Sequence, residues 1–134
     1  VQAVSRLLRE GCRDFFVSSW WEAEELSFLP PNTLSVLHGL GRDDEPRPGV
    51  RPVLISLEQI ARWKESGRSG EPCDVMVDTG MNRLGLRPDQ LAAVEGLHVH
   101  TLHSHLACAD EDHWLNSKQL ELFSEVRSRV SAQR

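Results

Sequence analysis

The sequence predicts an α/β domain in which parallel strands alternate with helices. Its 134 residues include short runs of apolar and β-branched residues, which are typical of buried strands. Between most of these runs lie amphipathic stretches of about ten residues, long enough for the crossovers that parallel strands require. The five predicted strands fit either a complete five-stranded doubly wound parallel sheet or part of an eight-stranded (β/α)8 barrel. A whole barrel needs roughly 250 residues, so this chain could supply only about five βα units of one.

The second predicted strand is followed by Gly39 and the fourth by Asp78, which are residues that favour turns. The strands are predicted at residues 15–17, 34–38, 52–55, 75–77 and 98–106. Residues 39–49 are rich in Gly, Pro and charged residues, and they predict a loop between the second and third strands.

Capping residues and helix breakers bound the predicted helices. These run from Val1 to Gly11, from Ser19 to Pro30, from Ser56 to Gly67, from Pro88 through Leu97, and from Asp112 or Asn116 through Val130. Ser19 and Glu22 form a capping box, in which each side chain satisfies a backbone amide of the other residue. The buried stripe of the last helix is predicted to be Leu120, Phe123, Val126 and Val130.

Composition excludes several classes of partner. The net charge is −5, and acidic residues are interspersed with basic ones, so the chain lacks the basic surface that nucleic acid would need. No apolar run approaches the length of a membrane span. Cys12, Cys73 and Cys108 are odd in number and widely spaced, which is typical of reduced thiols in the cytoplasm.

The stretch from Asp78 to Gly85 predicts a binding loop, because it follows a strand directly. Carboxyl ends of parallel strands are where α/β proteins place their ligands. Gly80 and Gly85 permit backbone conformations and close approaches that other residues do not. Arg83 offers a planar set of donors suited to a carboxylate, a phosphate or a phenolate oxygen. On physical grounds alone, Asp78 and Arg83 could equally form a pair that only braces the loop.

Residues 77–85, with the sequence VDTGMNRLG, closely resemble the signature of the alanine racemases, enzymes that use pyridoxal 5′-phosphate (PLP). Residues 104–111, SHLACADE, resemble the end of the next barrel strand in that family, where a His follows Ser or Thr.

The resemblance extends over nearly the whole chain in the same order. Asn116, Gln119 and Phe123 match an Asn-x-x-Gln-x-x-x-Phe pattern of the family, and FFVSSWWEAEEL and LSVLHG, at residues 15–26 and 34–39, fit its second and third strands. The resemblance therefore favours the barrel. It implies that residues 1–134 are a fragment of the N-terminal PLP-binding (β/α)8 barrel domain, with the C-terminal β domain absent.

The resemblance also implies a function and roles for three residues. The intact enzyme would be a cytoplasmic homodimer that interconverts L- and D-alanine and supplies D-alanine for peptidoglycan. Arg83 corresponds to the Arg that donates to the PLP phenolic oxygen and lies near the substrate carboxylate. His105 corresponds to the His beneath the cofactor ring, and Leu37 to a residue that packs against that ring.

The residues that transfer protons in the family have no counterpart here. The family forms its bond to PLP through a Lys at the end of the first barrel strand, and its second base is a Tyr from the partner subunit. This chain has no Tyr, and its two lysines, Lys64 and Lys118, lie in predicted helices. Met76 stands where many members have a carbamylated Lys. The sequence thus predicts no catalytic residue in this chain, and the chain alone is expected to be inactive.

Two other functions remain possible from the sequence. One is a non-catalytic PLP-binding module with a decayed active site. The other is a metal-dependent hydrolase that uses the cluster His98, His100, His103 and His105. The two His pairs have opposite parity along the strand, and a regular strand cannot place all four on one face. No metal site is therefore predicted.

A partial barrel is also expected to leave apolar surface uncovered. Its outermost strands would present unpaired backbone edges, and Val53, Ile55, Val75 and Val77 would be incompletely buried. The isolated chain is therefore expected to aggregate.

Overall fold

The computed structural model describes all residues from Val1 to Arg134. Strands β1 to β5 are Phe15–Val17, Leu34–Val36, Val50–Leu54, Pro72–Met76 and His98–His103. Helices α1 to α4 are Gln2–Arg9, Trp20–Glu25, Leu57–Glu65 and Trp114–Arg129, and a 3₁₀ helix spans Pro88–Val94. The chain forms two compact units, Val1–Val53 and Leu54–Arg134.

The first unit contains three parallel strands and a small apolar core. Strand β1 pairs with β2, and β2 pairs with β3, all in parallel. The buried residues of the core are Phe15, Ala23, Leu26, Leu34 and Val36. Helix α1 has no buried residue of its own, but Val4 and Leu8 pack against this core.

The capping box predicted in the first unit is present. The backbone amide of Glu22 donates to Ser19 Oγ at 3.3 Å, and the amide of Ser19 donates to Glu22 Oε2 at 3.2 Å. Helix α2 ends at Glu25, well before Pro30, so the predicted C-terminal limit is wrong. A proline prevents a helix from continuing but does not require it to reach that point.

In the second unit, β4 and β5 are parallel, and Val126 of α4 is fully buried. The register shifts between Cys73, which pairs with Val99, and Asp74, which pairs with Thr101. His100 is therefore the extra residue of a β-bulge. Strand β5 ends at His103, three residues earlier than predicted.

The start and the buried face of the last helix differ from the prediction. Neither Asp112 nor Asn116 is the N-cap, because His113 Nδ1 accepts the backbone amide of Leu115 at 3.2 Å. Leu120, predicted to be buried, is 63% exposed, whereas Gln119 is fully buried. The rest of the predicted stripe agrees with the structure, since Val126 is fully buried and Phe123 and Val130 are partly buried.

Pro88 does begin a helix, as predicted, but the helix is of the 3₁₀ type. Its bonds span three residues, as in the donation from the amide of Gln90 to the carbonyl of Arg87 at 2.9 Å. Gly96, with a φ of +83°, follows its end. Connections this short commonly use 3₁₀ geometry.

The expectation of uncovered apolar surface is wrong for most of the residues it concerned. Val53, Val75 and Val77 are fully buried, and Ile55 is partly buried. The last residues also extend along β5, since the amides of Gln133 and Arg134 donate to carbonyls of that strand. No helix has the length and apolar character needed to cross a membrane.

Candidate active site

The loop after β4 is braced by the carboxylate of Asp78. Asp78 Oδ1 accepts the backbone amides of Gly80 at 2.9 Å and of Asn82 at 3.1 Å. This is the local hydrogen bonding by which Asp commonly stabilises a turn. Arg83 forms no hydrogen bond or ion pair. The Asp78–Arg83 pair considered from the sequence is therefore not formed.

Gly85 closes the same loop against the strand it came from. Its φ is +119°, and a Cβ atom there would lie 2.8 Å from the amide nitrogen of Asp78 and 3.0 Å from the carbonyl oxygen of Met76. The amide of Leu86 donates to that Met76 oxygen at 2.8 Å. A side chain would push these backbones apart, so only glycine fits.

Arg83 lies on the outside of this braced loop. Its side chain is exposed, and the preceding residue, Asn82, has a φ of +57°. All of its guanidinium donors are thus available to a ligand. The structure places Arg83 where the sequence predicted, after the carboxyl end of a strand.

The loop after β5 lies beside the loop after β4. Thr79, almost fully buried, has its Oγ1 2.7 Å from Ser104 Oγ. His105 follows directly and is exposed. The structure therefore brings together the loops that carry Arg83 and His105, because neighbouring parallel strands end at the same edge of a sheet.

Gln119 was singled out in the sequence only as part of a family pattern, and its structural role was not predicted. Its buried side-chain amide contacts both loops, through Thr79, His105 and Ala107. The available signal was its place one helical turn after Leu115 and two turns before Val126, on the inner face of α4.

Leu37 lies in the first unit, just after β2. Its amide donates to the carbonyl of Val17 at 2.9 Å, and its side chain is 41% exposed. Its side chain is accordingly not part of the core, where a lone Leu is usually found.

Asp74 is a fully buried carboxylate with two histidines nearby. His103 Nε2 lies 3.5 Å from one of its oxygens, and His100 Nδ1 lies 3.8 Å from the other. The β-bulge at His100 allows both contacts, so the parity argument that separated these two histidines fails. Burial raises the pKa of the neighbouring Cys73 thiol to about 12, and the negative charge of Asp74 adds to that effect.

The histidines of this region do not form a metal site. No group of three or more His, Cys, Asp or Glu residues has an arrangement that could hold a metal ion. His98 is bound instead to the carbonyl of Gly70 and the side chain of Gln133. The metal-dependent hydrolase therefore has no supporting geometry.

Both lysines lie on helices, as predicted. Lys64 is in α3, and its Nζ donates to the carbonyl of Glu95 at 2.7 Å. Lys118 is in α4, with its Nζ 5.7 Å from the centre of the Trp114 ring. Neither follows the carboxyl end of a strand.

The sequence of the whole chain matches a known family. The model of the alanine racemase N-terminal domain family matches residues 1–134. The chain belongs to this family. It is 42% identical over 144 residues to an alanine racemase of Rhodospirillum rubrum, covering 96% of this chain and 38% of that relative. It is 40% identical over 130 residues to a catabolic alanine racemase of Agrobacterium fabrum, covering 85% of this chain and 34% of that relative.

Solved structures agree with this assignment. The crystal structure of alanine racemase from Bartonella henselae with covalently bound pyridoxal phosphate has a TM-score of 0.83 and 29% identity, over 96% of this chain and 42% of that chain. An alanine racemase of Clostridium difficile 630 has a TM-score of 0.79 over the whole of this chain and 41% of its own, and at 21% identity it shows the fold alone. The predicted fold, part of a TIM barrel, is confirmed. The chain spans about a third of the length of these curated relatives.

Proposed function

We propose that residues 1–134 form part of the PLP-binding barrel of an alanine racemase that also has a C-terminal β domain. The whole protein would interconvert L- and D-alanine. The observation that supports this most directly is the exposed Arg83, which has no partner. It lies on a loop held by the hydrogen bonds of Asp78, beside the strand end that carries His105. The share of each relative that the chain covers supports the view that it is a fragment.

Arg83 is the group proposed to bind the anionic parts of both ligands. A guanidinium forms paired, charge-assisted hydrogen bonds to a carboxylate, and it also stabilises a phenolate oxygen. His105, which is exposed on the neighbouring loop, would lie against the cofactor ring. These residues fit the surroundings of PLP, although the Lys that would bond to it is not among them.

The proton transfers are assigned to residues outside this chain. PLP, when bound, acts as an electron sink that makes the Cα proton of an amino acid removable. Lys64 and Lys118 are held on helices, and the chain has no Tyr, so neither proton-transfer group is present here. The chain's own residues bind and orient the reactants, and two-base racemisation needs groups from the remainder of the protein.

Met76 changes how Arg83 is held in position. A carbamylated Lys there would offer a negative charge to the guanidinium, but a thioether cannot. In this protein Arg83 is oriented by its loop, through the contacts of Asp78 and Gly85. We also propose that the whole protein is a cytoplasmic homodimer that supplies D-alanine for peptidoglycan.

The test uses the whole protein that contains this chain. With PLP, it should racemise L-alanine, and Arg83→Met should raise the KM for alanine by about a hundredfold, since a charged hydrogen-bonded pair is lost. Arg83→Lys should recover only part of this, because an ammonium cannot bind a carboxylate in the paired geometry. Chiral chromatography of the product measures both effects.

Arg87→Met is the matched control, since Arg87 is exposed nearby and pairs only with Asp89. It should leave the KM unchanged. A whole protein that binds PLP yet racemises no alanine would contradict the proposal.

A non-catalytic PLP-binding module is the second candidate, and Met76 is the observation that favours it. The two functions predict different sequences immediately before this segment in the gene. A strand that ends in a Lys favours the racemase, and a strand without one favours the module.

A further inference from the structure

Gln119 is a polar residue in an otherwise apolar position. It lies on the inner face of α4 and is fully buried, as is Val126 two turns later. A buried amide without hydrogen bonds would be strongly destabilising. The partners of the Gln119 amide therefore indicate its structural role.

Every hydrogen of the Gln119 side-chain amide is used. Nε2 donates to the carbonyl of His105 at 2.9 Å and to Thr79 Oγ1 at 3.2 Å. Oε1 accepts the backbone amide of Ala107 at 2.9 Å. Reversing the amide would place an oxygen against the His105 carbonyl, so its orientation is fixed.

These bonds end on two different loops. Thr79 belongs to the loop that carries Arg83, and its hydroxyl also contacts Ser104 Oγ. His105 and Ala107 belong to the loop after β5. A Cβ atom on Gly80 would be only 3.5 Å from Gln119 Cγ, so the Arg83 loop passes directly over this side chain.

We propose that Gln119 is a positioning residue that fixes the Arg83 loop relative to His105. One rigid amide sets the distance between the group that binds the anion and the group beneath the ring. The bracing follows from the contacts alone, and its effect on alanine rests on the proposed function. Misplacement of binding groups by about 1 Å can reduce catalytic efficiency about a hundredfold.

Gln119→Met in the whole protein tests this, because Met has a similar shape but no amide. Amide hydrogen exchange, followed by mass spectrometry without substrate, should become at least about tenfold faster in residues 78–85 and 105–108. The KM for alanine should rise, and kcat/KM should fall by about a hundredfold. Gln90→Met is the control, since Gln90 Oε1 caps only the amide of Arg87.

Thr79→Val provides a second, independent variant. It removes the Gln119–Thr79 bond and the Thr79–Ser104 contact, but it keeps the bonds of Gln119 to His105 and Ala107. Exchange should therefore accelerate in residues 78–85 and stay slow in residues 105–108. This variant decides the question if Gln119→Met does not fold. Unchanged exchange in both loops of either folded variant would overturn the proposal. Faster exchange in a whole protein that racemises no alanine would support the bracing and contradict the racemase.

Discussion

Asp78 and Arg83 illustrate what can be known of single residues from their neighbours in sequence. Their position after a strand was predictable, because it depends on the pattern of apolar residues and glycines. The sequence could not show that the two side chains do not pair, since Asp78 could bind either a guanidinium or the amides of its own loop. The amides of Gly80 and Asn82 are closer along the chain, and the turn brings them to the carboxylate at little entropic cost.

Cys73 gives a prediction at this scale. The thiol is fully buried, and its pKa is raised to about 12, so at pH 8 it should resist alkylation while folded. Cys12 and Cys108 are partly exposed and should react first. Mass spectrometry after timed labelling with iodoacetamide measures the order of reaction. Rapid labelling of Cys73 in the native protein would show that its surroundings are open.

The same shift makes stability depend on pH. The unfolded thiol ionises near its ordinary pKa of about 8.5, whereas the folded thiol keeps its proton. The contribution of Cys73 is thus fully present below about pH 8.5 and decreases as the pH rises towards about 12. The free energy of unfolding of Cys73→Ala, measured by urea unfolding, should depend less on pH over this range than that of the unmodified protein.

The order of the secondary-structure elements was predicted better than the identity of their buried faces. Alternation of strands and helices follows from periodicity, and that prediction is confirmed. On α4, Val126 is buried as predicted, but Leu120 is exposed and Gln119 is buried. The burial of Gln119 was not predicted because a buried Gln is rare and its partners come from distant loops. The bulge at His100 could not be predicted from the sequence either, since it depends on the register of β5 with β4.

Helix α4 supports a prediction that compares two of its residues. Val126→Ala should lower the free energy of unfolding by about 2 kcal/mol, because a buried side chain leaves a cavity. Leu120→Ala removes more apolar volume but should change it by less than about 0.5 kcal/mol, since Leu120 is mostly exposed. Urea midpoints measure both. Equal losses would place Leu120 in contact with another part of the whole protein.

At the scale of the whole molecule, local sequence patterns could not distinguish between the two predicted folds. A doubly wound sheet and a partial barrel use the same strands and helices, with the same spacing. Only the resemblance to a family favoured the barrel from the sequence, and the solved relatives confirm it. Burial of Val53, Val75 and Val77 differs from what was expected of an incomplete barrel.

At this scale, the 134-residue chain alone should neither racemise alanine nor form a stoichiometric covalent adduct with PLP. Its lysines are on helices, and neither faces a strand end. Borohydride reduction in the presence of PLP, followed by intact-mass measurement, tests this directly. The whole protein is the positive control. Specific labelling of Lys64 or Lys118 together with turnover would contradict the assignment.

The loop geometry around Arg83 has an electrostatic consequence. The chain has a net charge of −5, yet this guanidinium has no carboxylate paired with it. It is a local positive spot on a negative molecule, and a small anion approaching from solution is attracted there and repelled elsewhere. Ions screen such attraction within about 8 Å at physiological ionic strength, so chloride and phosphate should compete with amino-acid carboxylates for this position.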